Sequence, residues 1–108
     1  MTKSQEKAVA KIKALAEKEM NTIHKDGEIK KWEVNEYSQF VSVVVQIGGK
    51  NDEGTMAEIC AREMAHLFIG KRGGITYPVS KKLKNGEWKH YEKRFIGYSL
   101  LQAIVDQQ

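Results

Sequence analysis

The sequence predicts an α+β fold: an N-terminal amphipathic helix, an antiparallel sheet of four or five strands that includes a basic β-hairpin, and a short C-terminal helix. Three observations carry this expectation. Apolar residues recur at three- and four-residue steps near the start of the chain. A β-branched run with period-2 alternation occupies the middle. Asn85-Gly86 separates two extended, lysine-rich runs in the last third.

The first helix is expected from about Ser4 to His24. Val9, Ile12, Ala16, Met20 and Ile23 form one stripe, widened by Ala8 and Leu15, while Glu6, Lys7, Lys11, Glu17 and Lys18 occupy the opposite, solvated face. Thr2 and Gln5 have capping-box spacing, and Asp26-Gly27 supplies a stop. From Trp32 to Gly48 the chain reads as extended. In Phe40–Ile47, Val41, Val43, Val45 and Ile47 make one apolar face, and Ser42 and Gln46 mark the other. Gly48 to Gly54 has loop composition.

Thr55 to Ile69 fits two templates. Thr55 and Glu58 make a second capping box in a helix-forming stretch. Yet Ala57, Ile59, Ala61, Ala65, Leu67 and Ile69 alternate as on a strand, and the final residues from His66 to Ile69 are extended under either reading. Lys71-Arg72-Gly73-Gly74 is a tight turn into Ile75. Ser99 and Gln102 cap a last helix whose apolar face holds Leu100, Leu101, Ile104 and Val105. No repeat or linker interrupts the 108 residues, so a single domain, 1–108, is expected.

The hairpin predicts its own pairing. An Asn-Gly two-residue loop implies a type I′ turn, with Lys84 opposite Glu87, Lys82 opposite Lys89, Ser80 opposite Tyr91 and Pro78 opposite Lys93. Alternation then puts Tyr77, Val79, Leu83 and Trp88 on a core-facing side. Lys82, Lys84, Lys89, Tyr91 and Lys93 share the other side, with Glu87 its only acid. Pro78 implies an edge position. Trp32 and Trp88 are both expected to close the core.

Charge gives the chain a polarity. Residues from 70 onward hold eight Lys or Arg against three Asp or Glu, a balance of +5, while residues 1–69 hold ten against eleven, a balance of −1. A cationic, aromatic surface suits a polyanion. The predicted function is therefore a small non-enzymatic nucleic-acid-binding module of weak sequence specificity. Its candidate residues are Lys71, Arg72, Lys82, Lys84, Lys89, Tyr91 and Lys93. The alternative is a protein-interaction module, a homodimer or an inhibitor of an acidic protein partner.

Other chemistries find little support. His24, His66 and His90 are scattered, and Cys60 has no cysteine partner, so zinc spacing is missing. Glu63 and His66 would share a helical face, but a di-iron site needs that pair twice. Cys60 with His66, or Glu33 with Glu36, would be weak catalytic pairs. No phosphate-binding loop, dinucleotide fingerprint or nucleophile elbow occurs. No cofactor, metal or catalytic residue is expected. No apolar run approaches 18 residues, and the lone cysteine and charged N-terminus point to the cytoplasm.

Overall fold

The computed structural model describes residues 1–50, 63–97 and 99–108. Its elements run α1 (Lys3–Ile23), β1 (Gly27–Glu36), β2 (Phe40–Gly49), β3 (Met64–Gly70), β4 (Ile75–Lys82), β5 (Trp88–Arg94) and α2 (Leu100–Asp106). The five strands form one antiparallel sheet in the order β1-β2-β3-β4-β5, each beside its sequence neighbour. The fold is α+β, as the periodicities predict. The Thr55–Glu58 capping box and Cys60 lie outside the described residues.

Helix α1 forms where its capping box says it should. The Thr2 hydroxyl accepts from the Gln5 amide at 3.1 Å, and the Gln5 side chain accepts from the Thr2 amide at 2.9 Å. The expected stripe is the packed one: Ala8, Ile12 and Ala16 are buried, with Val9, Leu15, Met20 and Ile23 beside them against the core. Gln5 is buried as well and donates to the Ile69 carbonyl, pinning the first turn of α1 to the end of β3.

The extended run read from Trp32 to Gly48 is two strands, separated by a turn at residues 37–39 in which the Tyr37 amide donates to the Phe40 carbonyl. The first of them starts earlier than expected, because a β-bulge between Ile29 and Lys31 breaks the alternation. With Lys30 as the extra residue, Ile29, Trp32 and Val34 all reach the same face, opposite Ile47, Val45 and Val43. That face continues through Leu67 and Ile69 on β3 to Tyr77 and Val79 on β4, and both helices cover it. Each fully buried Val, Leu or Ile there contributes about 1.5–3 kcal/mol relative to an exposed one.

Strands β3 and β4 pair only at Phe68–Thr76 and Ile69–Ile75. Beyond Thr76, β4 leaves β3 and continues with β5 alone as a two-stranded ribbon. The gap is closed from α2. Gln107 presents its amide like a strand residue, accepting from the His66 amide at 2.9 Å and donating to the His66 carbonyl at 3.0 Å. Among the described residues no helix is long and apolar enough to cross a membrane.

Candidate nucleic-acid interface

The ribbon tip differs from the expected turn. The Leu83 amide donates to the Glu87 carbonyl at 2.7 Å, and the Gly86 amide donates to the Leu83 carbonyl at 3.0 Å. Gly86 alone in the turn has a positive φ, 86°. This is a three-residue loop, Lys84-Asn85-Gly86, built on a type I turn with glycine at the left-handed position. The Asn85 side chain accepts from the Glu87 amide at 3.0 Å.

The register therefore shifts by one residue. Lys82 faces Trp88, Lys81 faces Lys89, Ser80 faces His90, Val79 faces Tyr91, Pro78 faces Glu92 and Tyr77 faces Lys93. A one-residue shift exchanges the faces of one strand relative to the other. Lys89, Tyr91 and Lys93 keep company with Lys81 and share the side of Tyr77 and Val79. Lys82 lies on the opposite side with Trp88, His90 and Arg94, and Lys84 sits in the turn. The single lysine face expected from the sequence is thus divided between two sides of a narrow ribbon. The expected core role of Trp88 is also overturned: it stands 59 % exposed near the tip. Trp32 does pack half-buried against the core, with the Lys13 ammonium 4.7 Å from its ring centre.

Among the described residues, Lys93 is the one ribbon cation held in an ion pair. Its ammonium lies 2.9 Å from the Asp106 carboxylate on α2, which also accepts from the Tyr77 hydroxyl at 2.6 Å. The hydrogen bonds from Tyr77 and Lys93 hold the Asp106 carboxyl below its ordinary range. The bond to Asp106 raises Lys93, and burial first, then the Asp106 bond, raises Tyr77. Among the described residues, Lys71, Arg72, Lys81, Lys82, Lys84, Lys89 and Arg94 form no ion pair. Lys71 and Arg72 occupy the β3–β4 turn, which is docked on α1 by the Thr2 hydroxyl donating to the Lys71 carbonyl at 2.8 Å.

That docking creates a feature the sequence conceals. A cleft of about 770 Å³ opens beside the turn, where Lys7 and Lys11 of α1, Arg72 of the turn and Arg94 of β5 converge, opposed by Glu92. Phe40 and Phe68 form part of its wall. They belong to a row of rings on the sheet face turned away from the core: Tyr37 stacks on Phe40 at 4.9 Å, Phe40 meets Phe68 edge-on at 5.5 Å, and Phe68 stacks on His66 at 5.5 Å. From the sequence, Lys7 and Lys11 belong to an ordinary solvated helix face. The aromatic residues are far apart in sequence, and only the strand order brings them together.

The weaker candidates separate in space. Glu33 and Glu36 lie on opposite faces of β1, opposite Val44 and Val41, and Glu36 meets the N-terminal ammonium. His66 is on a strand, so the helical pairing with Glu63 does not form; Glu63 meets His24 instead, at 3.6 Å. Among the described residues no three His, Cys, Asp or Glu gather as metal ligands would. Comparison with known proteins finds no matching family model, no matching curated protein and no matching solved structure.

Proposed function

We propose that this chain is a small, non-enzymatic nucleic-acid-binding module that works in the cytoplasm and uses no cofactor. The observation that supports this is the set of seven cations on the β4–β5 ribbon and the adjoining turn that have no carboxylate partner among the described residues, with Glu87 and Glu92 the only acids on the ribbon. A two-stranded ribbon is narrow enough to enter a major groove, and lysines divided between its sides can meet the phosphates of both walls. Lys82, Lys84 and Lys89 would contact phosphate, Lys71 and Arg72 would sit at the rim, and Tyr91 would offer a ring. Lys93 is partly committed to Asp106 and contributes less. Lysine supplies charge without bidentate base reading, so specificity is weak.

The test is binding across a salt series. For about four phosphate contacts, affinity should fall on the order of 100-fold between 50 and 200 mM salt. The triple variant Lys82→Glu, Lys84→Glu, Lys89→Glu should lose binding and keep its melting temperature. No binding at low salt, or affinity indifferent to salt, overturns the reading.

One observation favours a second reading, a protein-interaction module. Among the described residues the outer edge of β5 has no strand partner, and Trp88 and Tyr91 are exposed along it. Edge-to-edge pairing would give a homodimer, and the lysines would suit an acidic protein. Strand β2 cannot make such a pairing, since it is flanked on both sides by β1 and β3. Light scattering at increasing concentration separates the readings: a monomer that binds nucleic acid supports the first.

A further inference from the structure

We infer that the cleft beside the β3–β4 turn binds a nucleotide of a single strand, with its base stacked on the Tyr37–Phe40–Phe68 row and its phosphate held by Arg72 and Arg94. The inference rests on the nucleic-acid reading and narrows it from a polyanion to a strand with unpaired bases.

Four cations line the cleft and one acid opposes them, so an anionic ligand is favoured. The type of cation narrows the anion. The chain contains fifteen lysines and three arginines, and two of those arginines line this one cleft. A guanidinium offers a planar fork that matches phosphate geometry, whereas an ammonium acts as a point charge. Size adds that the cleft has room for more than a phosphate, since about 770 Å³ is the scale of a pocket for a larger organic molecule.

The rings supply the rest. Phe40, in the cleft wall, is 37 % exposed, and Tyr37, which stacks on it, is 54 % exposed. Two stacked, partly exposed rings make a platform that a third flat ring can extend. A duplex offers its bases edge-on in the grooves and keeps their faces stacked. A single strand can turn a base face outward onto an aromatic residue. Arg94 pairs across the sheet with Thr76, which itself faces Phe68, so the guanidinium and the aromatic row lie on the same sheet face.

The experiment measures anisotropy of three labelled probes at 50 mM salt: a 12-nucleotide thymidine strand, an abasic strand of the same charge, and a 12-base-pair duplex. The thymidine strand should bind about tenfold more tightly than the abasic one. Phe40→Leu should weaken the thymidine strand by roughly tenfold, the scale of one lost stack, and leave the abasic strand and duplex unchanged. Arg94→Gln should weaken both single strands. Unaltered melting temperatures establish that both variants fold. Equal affinity for the thymidine and abasic strands, with Phe40→Leu silent, overturns the inference while the ribbon reading stands on its lysine dependence. Failure of all three probes to bind removes the ribbon reading, and this inference with it.

Discussion

Gly27 shows how a single residue is chosen by space rather than by conformation. The sequence offers Asp26-Gly27 as a helix stop, which would ordinarily mean that glycine takes the left-handed backbone. Here Asp26 takes it, with φ 51°, and Gly27 is needed because a Cβ would lie 2.0 Å from the Met20 carbonyl oxygen. Gly27→Ala must push the end of α1 away from β1, and overpacking of this kind costs about 1–3 kcal/mol or more. Urea denaturation should show that loss, and an unchanged midpoint would contradict the close approach. Asp106 allows a second prediction. Its carboxyl titrates below the ordinary carboxylate range in the folded chain, so its contribution to stability is complete above the unfolded value near 3.9 and is lost as pH falls through the folded value. Tyr77 and Lys93 are both raised, so their contributions are complete below their unfolded values and fade as pH rises through the folded ones, on the alkaline side of about 10. In Asp106→Asn the melting temperature should therefore vary less than in the parent chain at both ends, from pH 5 to 3 and from pH 9.5 to 11. Parallel curves would mean that the triad stores no folding energy.

The elements differ in how openly the sequence announces them, and the difference is one of range. Helix α1 is legible because its cap, its stripe and its stop are all local. Strand β2 is legible because Val41 to Ile47 alternate without a break. Strand β1 is obscured by the Lys30 bulge, which takes Ile29 and Trp32 out of period-2 step, and the turn after it, Tyr37-Ser38-Gln39, contains neither glycine, proline, asparagine nor aspartate, only Ser38 of the usual turn residues. The hairpin was legible in existence and wrong in register, and Pro78 held the missing clue. In a two-residue Asn-Gly loop, bonded pairs would fall at 84–87, 82–89, 80–91 and 78–93, and Pro78 would have to donate an amide hydrogen it lacks. In the observed register the bonded pairs include Leu83–Glu87 and, at the other end, the Phe95 amide on the Ile75 carbonyl. Pro78 then falls at a non-bonded pair and turns its nitrogen toward β3, where pairing has already ended at Thr76. The candidate interface inherits this lesson. Its residue types were readable, but their division between faces depends on one residue of register. The cleft was beyond reach because Lys7, Phe40, Arg72 and Arg94 meet only through the topology.

At the scale of the whole molecule, the chain joins a firm body to a lightly held ribbon. The body is sealed on its inner face by both helices: every residue of β2 from Val41 to Gly49 is buried, and β2 has strand partners on both edges. The ribbon is anchored to β3 through two residue pairs, and from Ser80 to Arg94 all its residues are exposed. Two devices of α2 limit its departure: Gln107 fills the gap left on β3, and Asp106 ties Tyr77 and Lys93 to the body. Local opening costs little where few apolar contacts must be broken, whereas a central buried strand opens only with the whole fold. Amide exchange should therefore divide the chain. The amides of Val43 and Val45 should exchange at the rate of global unfolding, whose free energy for a domain of this size is about 5–15 kcal/mol. Those of Val79, Lys81, Lys89 and Tyr91 are bonded only within the ribbon, and should exchange at least about 100-fold faster through local opening. Adding a nucleic-acid probe at saturating concentration should slow the ribbon amides and those of β2 by the same factor, because local opening of the ribbon and global unfolding both release a ligand held by the closed ribbon. Uniform protection across both sets, with or without the probe, would mean that ribbon and body unfold as one unit.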